Sequence, residues 1–479
     1  MSVYILAIGG TGAKFAEAVA HAAAVGIFSK DFPPEDLHIL FVDPDKGNGN
    51  LSAATTTIGI YQKCQTKING DSSISWMQTK INSWGSLSPF ADADIRLRDY
   101  FKYDDYNGEK VKIQHLFDVL YTKGERDLYL RDGFLGRPAI GAAVMSLIKN
   151  RETWSTLLNR IKEDIDGNRQ PKIFLCGSIF GGTGASGFPT LGRLLADELD
   201  KDNRLKRVKL GGLLMLPYFQ FPHPRNLSKD EISARSEEFI LKTKAALDYY
   251  GTQNLKFDKI YLLGTPTLTN IDYLGKGSKE QRNQPHFLEL FAAGAVRELV
   301  FKEDPKKLGI LARKNPNFVT WDDVPDRDEV KKNLSNAVRF AFVWISTIEP
   351  DLNYARTTRR QQGVAYSLRF FNTQELNDDQ EIDKINTIKE WCEQYLIWIG
   401  TLHRHAGNNK LELFNIHAFL ETNGELKKDR KEFPNLVVGS PGVEINRILT
   451  QLDANAIGQP NRGAVGLAKA LYQSICKSR

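Results

Sequence analysis

Short apolar runs, each closed by glycine, proline or an acid, set the pattern of this chain. Val3-Tyr4-Ile5-Leu6-Ala7-Ile8 ends in Gly9-Gly10-Thr11-Gly12, and His38-Ile39-Leu40-Phe41-Val42 ends in Asp43-Pro44-Asp45. Ile173 to Cys176 runs into glycines at 177, 181, 182, 184 and 187, and Val208 to Leu216 is stopped by Pro217. Each run predicts a buried strand, and Ile260 to Leu263 predicts another. Between them lie helical patterns. Lys14 to Val25 is alanine-rich, and from Thr190 the residues Leu191, Leu194, Leu195 and Leu199 share one face. A helix is expected over 230–250 with Ser228 as its cap, and one over 285–300 with Pro285 in its first turn. Strands alternating with helices in this way predict an α/β fold.

Beyond Arg339 the pattern is less regular. Phe340 to Ile348 and Val364 to Phe371 predict strands, Asp378 to His405 predicts a long amphipathic helix, and shorter helices are expected from Val443 and Gly463.

Two of the strand–glycine–helix junctions predict anion sites. Glycines let the backbone approach a phosphate, and the first N–H groups of a helix have no internal partner. Neither junction carries the Gly-Lys-Ser/Thr of the lysine-bearing phosphate loop. At the second, charge would be met by backbone N–H groups, by the Thr183 and Ser186 hydroxyls and by the helix dipole. Read alone, it is equally a tight strand-to-helix turn, and the first is equally a dinucleotide-binding turn.

The second junction resembles the tubulin/FtsZ glycine signature, Gly-Gly-Gly-Thr-Gly-Ser/Thr-Gly. Gly181, Gly182, Thr183 and Gly184 match it, Ala185 takes the small-residue position, and Phe180 and Ser186 depart from it. Pro189 falls where FtsZ-like chains often carry a proline. Three companions follow the family's order. Gly9, Gly10, Thr11 and Gly12 match its first phosphate-touching loop. Asp43 and Asp45 match the acidic loop beside the phosphates and their metal, although an Asp-Pro turn in solvent explains them as well. Gly136 and Pro138, in Gly133-Phe134-Leu135-Gly136-Arg137-Pro138, match the loop that wraps the terminal phosphate. Arg137 replaces a small or amide residue there and can pair with phosphate or cap a helix at the surface.

On these motifs the chain is similar to a divergent prokaryotic tubulin/FtsZ-like protein, over roughly residues 1–340. The resemblance implies a three-layer α/β nucleotide-binding domain with a parallel sheet over 1–284, with an insert at about 51–130. It further implies a central linking helix over 285–301, and a catalytic loop with a smaller α+β C-terminal domain over 302–479. It implies GTP/GDP and Mg²⁺ as cofactors, with Asn283, Gln284 and Glu289 as base-reading candidates. Phe219, Phe221, His223 and Arg225 would lie beside the ribose. Asp322 and Asp323 stand where the family's acidic catalytic loop enters the neighbouring subunit, and a helix N-cap is their other reading.

The function implied is a cytoplasmic GTPase that assembles head to tail into filaments. A nucleotide-sensing scaffold that does not hydrolyse and holds a protein partner is the alternative. An NAD(P)-linked enzyme on the first glycine turn is a third, and it leaves the second turn unexplained.

Composition changes this picture little. The 479 residues carry a net charge of +6, with 41% hydrophobic and 25% charged residues, as a large globular chain does. At this length two domains are the expectation. The basic residues are spread, which gives no ground for nucleic-acid binding. Cysteines 64, 176, 392 and 476 have no metal or disulfide spacing, which fits a reducing cytoplasm. No signal peptide is read at the start, and the longest uncharged stretch, 173–192, holds too much glycine to span a bilayer.

Overall fold

A computed structural model describes residues 1–29, 36–68, 74–90, 94–106, 111–222, 236–253, 255–271, 282–302, 307–310, 318–357, 369–372, 374–406, 410–455 and 462–478. The chain begins β1 (Ser2–Ile8), α1 (Gly9–Ala24), β2 (Asp36–Val42), α2 (Gly49–Ile68) and β3 (Lys80–Leu87). Five helices follow: α3 (Leu97–Tyr100), α4 (Val111–Leu120), α5 (Lys123–Arg126), α6 (Pro138–Met145) and α7 (Glu152–Asp166). Then come β4 (Lys172–Ser178), α8 (Gly182–Asp200), β5 (Lys209–Met215), β6 (Phe219–Gln220) and α9 (Phe239–Thr252). β7 (Lys259–Leu263), β8 (Thr269–Asn270), α10 (Phe287–Phe301) and β9 (Leu308–Ile310) follow.

Seven strands form one sheet in the order β3-β2-β1-β4-β5-β7-β9, and every neighbouring pair is parallel. A parallel sheet covered on both faces reads as unbroken apolar runs, which is why Val3 to Ile8 are all buried. β5 shows both covers. A side chain at Gly211 would meet Leu299 of α10, and one at Gly212 would meet Phe188 of α8. Helix α1 packs against both α2 and α10, and α8 packs against α6.

β1, β2, β4, β5 and β7 fall where the sequence predicts strands, β3 and β9 were not expected, and several helices begin earlier. α1 starts at Gly9 and not Lys14, and α8 at Gly182 and not Thr190. Pro189 therefore lies inside α8. A proline has no N–H for the carbonyl four residues back, and here the Tyr250 hydroxyl donates to Ala185 O at 2.6 Å. The helix expected over 230–250 is described from Ser236 onward. Ser228, His223, Arg225 and residues 315–317 lie outside the described residues.

The C-terminal part is helical and departs most from the sequence reading. α11 (Arg327–Val343) continues through a π-helical turn, Trp344–Ile348, into α12 (Glu349–Thr357). The strand expected over 340–348 is thus a helix, hydrophobic all round because it is buried all round. Phe340 to Ile345 are fully buried, and Phe340 meets Trp76, Trp344, Trp391 and Tyr472. Pro350 repeats the device of Pro189. The freed carbonyl of Ser346 is met by Arg430 Nη2 at 2.8 Å and Nε at 3.1 Å.

Helix Asp379–Arg404 appears where expected, as do Ile445–Asn455 and Gly463–Lys477. Most of 364–371 lies outside the described residues, and Arg369 and Phe370 are helical. Among the described residues this part holds one two-residue ladder, Phe318–Val319 on Lys410–Leu411. No described helix is long and apolar enough to cross a membrane.

Candidate functional site

The order of strands places a site. From β1 the chain moves to β2 and β3 on one side, and from β4 to β5 and β7 on the other. Ligands of open α/β sheets bind outside the strand ends at such a reversal. Here the strands ending there, β1 and β4, carry the two glycine turns.

Both turns face one cleft. Gly9 has φ +71°, open to glycine at little cost, and a side chain on it would come within 3.2 Å of Thr183 Cβ. The third loop closes on the second turn, because the Cβ position of Gly182 lies 2.8 Å from Phe134 Cβ and 3.0 Å from Gly136 N. The end of β2 supplies another wall with Asp43 and Asp45. The cleft is open to solvent at its mouth and offers about 110 Å³ to a water-sized sphere.

Of the sequence candidates, Gly9, Gly10, Thr11, Asp43, Asp45 and Gly136 line this cleft, and so do Gly181, Gly182, Thr183, Gly184 and Asn283. Others stand off it. Gly12 packs against the backbone of Ala7 and Cys176. Arg137 turns to Glu125, Nε to Oε1 at 2.9 Å, and Pro138 opens α6. Ala185 and Ser186 are buried in α8, with the Ser186 hydroxyl donating to Gly182 O at 2.7 Å.

Gln284 is exposed and is absent from the cleft wall. Glu289 is 1% exposed and already occupied. It caps α10 by accepting the His286 N–H at 3.0 Å, and it pairs with Lys14 at 2.6 Å. Asp323 caps its own turn, accepting Thr320 N at 2.8 Å, while Asp322 is exposed and pairs with Arg327 at 2.7 Å. Neither acid belongs to the cleft wall.

Sequence reasoning missed Asn48, Asn50, Ser178, Phe180 and Phe239 as wall residues. Asn50 Oδ1 accepts the Asn283 N–H at 2.7 Å and so ties the start of α2 to the approach to α10. The signal for the asparagines was present in Gly47-Asn48-Gly49-Asn50, a polar turn running into α2 just after the acids.

The described wall contains no lysine, arginine or histidine. Positive potential comes from the unpaired first-turn N–H groups of α1 and α8 and from their dipoles. Opposite them sit two buried carboxylates. Burial, more than the neighbouring charge of Asp45, pushes the Asp43 carboxyl up to about 8, against the hydrogen bond it accepts from the Asp45 amide at 3.1 Å. Two hard oxygen donors beside an anion site suit Mg²⁺, which takes one or two carboxylates together with phosphates. No described group of three or more His, Cys, Asp or Glu gathers as an all-protein metal site.

Fold and cleft together define an α/β protein with a parallel sheet between helices, a glycine-walled cleft at the strand ends and a helical C-terminal part. No family model matches the sequence, and no curated protein does. Among solved structures it is similar to CetZ from Methanosaeta thermophila strain DSM 6194, at 14% identity over 62% of this chain and 53% of that one, with a TM-score of 0.25. The chain spans about half the length of that protein.

Proposed function

We propose that this chain binds a nucleoside triphosphate, GTP by the motif resemblance, with its phosphates held by the two glycine turns. The supporting observation is the meeting of both turns and the Gly133–Gly136 loop on one cleft at the reversal of strand order. Phosphates there would be met by backbone N–H groups in place of a lysine. Asp43 and Asp45 would hold Mg²⁺ on the phosphates, and the ion would offset charge that the wall cannot. Strand order alone suits a dinucleotide fold equally well. The second glycine turn on the same cleft favours the triphosphate reading.

Hydrolysis would need a carboxylate to orient water. In the head-to-tail reading Asp322 of one copy supplies it to the cleft of the next, a heterologous contact that propagates into filaments. One observation favours the non-hydrolysing scaffold: Asp323 is committed to its own cap, and Asp322 to Arg327. Phosphate release measured across protein concentration separates the two. Specific activity that climbs with concentration supports assembly-dependent turnover. Bound nucleotide without release at any concentration supports the scaffold, and no nucleotide binding at all rejects both.

A further inference from the structure

Away from the glycine turns, α10 leaves one edge of the sheet partly open. A side chain at Gly211 would meet Leu299, so α10 covers the face of the sheet to which that position belongs. Register puts Lys259 beside Gly211, and Leu213, Tyr261 and Gly309 side by side two residues further on, on the same face. β9 therefore offers no side chain there. α10 answers with Gly294 and Ala295, one turn from Phe291 on one side and from Glu298 on the other. Small residues from both elements leave a pocket that offers about 280 Å³ to a water-sized sphere, more than twice the 110 Å³ of the glycine-walled cleft. Its described walls are apolar except for Lys259, Glu298 and Tyr261. Lys259 Nζ lies 2.6 Å from Glu298 Oε1, and the Tyr261 hydroxyl donates to the same oxygen at 3.3 Å. The ammonium is 5% exposed and the carboxylate 27%, and among the described residues no donor reaches Glu298 Oε2. The two charges cancel, so the pocket combines apolar walls with one spare carboxylate acceptor.

We propose that this pocket binds a small, neutral aromatic molecule carrying one N–H or O–H donor. Its ring lies between α10 and the sheet edge, and its donor bonds to Glu298 Oε2. Apolar walls favour a ring that leaves water, and a net charge brought among them would be costly to desolvate. A donor on a carboxylate makes a charge-assisted bond, which fixes the ring's orientation. The pocket shares no residue with the glycine-walled cleft, and the inference stands apart from the nucleotide reading.

Indole and 1-methylindole share a ring system and differ in the N–H, so calorimetric titration of each into the full chain tests the proposal. The native chain should bind indole about tenfold more tightly than 1-methylindole, the worth of one hydrogen bond to a charged group. A Cβ at Gly294 would meet only Pro325, at 3.7 Å, which is ordinary contact. Gly294→Leu therefore has room to fill the pocket, and it should bind neither compound while keeping the native circular dichroism. Lys259→Met combined with Glu298→Leu removes both charges together, a replacement that buried pairs often tolerate. That chain should still bind 1-methylindole and lose the preference for indole. Should it fail to fold, the native chain and Gly294→Leu decide between them. Equal affinity for the two compounds in the native chain, binding of neither, or native indole affinity in Gly294→Leu overturns the proposal. So does a native chain that binds neither while Gly294→Leu shifts the oligomeric state by light scattering, since the pocket would then receive a second copy.

Discussion

Gly182 is the residue on which the cleft depends most closely. A methyl group there would overlap the Phe134 side chain and press on the Gly136 amide. Overpacking of this kind costs about 1–3 kcal/mol, and here it displaces the third loop from the second turn. Gly182→Ala should weaken nucleotide binding about tenfold or more by calorimetry; native affinity in the variant would contradict the assignment of the turn. Glu17 makes a second prediction at this scale. Burial first, then the charge of Glu289, pushes its carboxyl from an ordinary 4.5 up to about 7, against Thr57, Lys14 and Arg282. Between those values the folded chain holds a proton that the unfolded chain has lost, so stability from this residue is full at the low end and declines as pH rises to 7. Replacing Glu17 with Gln should remove about one proton from the slope of stability against pH in that window. Matching slopes in the two chains would refute it. The glycines were legible in the sequence because only backbone chemistry was asked of them. Side-chain direction was not legible: Arg137 meets Glu125 from α5, and Glu289 meets Lys14 from α1, across separations that no local pattern reports.

At the scale of elements, the five inner strands were readable because a sheet covered on both faces needs continuous apolar runs, and the two edge strands, β3 and β9, were not. The same signal misled over 340–348, since a helix buried on all sides shows an identical run and periodicity cannot separate the two. Helix starts were read late because glycine disfavours helix, yet the glycines at 9, 10 and 12 and at 182 and 184 sit in first turns. Pro189 and Pro350 each leave a carbonyl that a distant side chain meets. Tyr250→Phe should cost about 1 kcal/mol in denaturant unfolding, and Arg430→Met about 2 kcal/mol, as the bond is charged. An unchanged midpoint in both would show those carbonyls to be satisfied otherwise. The acid loop separates structure from chemistry. Asp323→Ala removes a cap and should cost about 1 kcal/mol of stability. Asp322→Asn, at an exposed site, should leave the melting temperature in place and, under the assembly reading, abolish concentration-dependent phosphate release. Release at the native rate would exclude Asp322 as the catalytic carboxylate.

Across the whole molecule, parts drawn from residues 9 to 283 meet at one place because the sheet reverses its strand order between β1 and β4. Motif order along the chain anticipated the meeting. Its geometry, and the helical character of the C-terminal part, needed the fold. The central claim is that this cleft holds a triphosphate without a lysine. It is tested most directly by denaturing freshly purified protein and identifying and counting the released nucleotide by chromatography, beside the Gly182→Ala chain prepared in the same way. The account predicts close to one guanine nucleotide per native chain and little from the variant. An empty native protein that also fails to take up GTP with Mg²⁺, or equal nucleotide in both preparations, would contradict it.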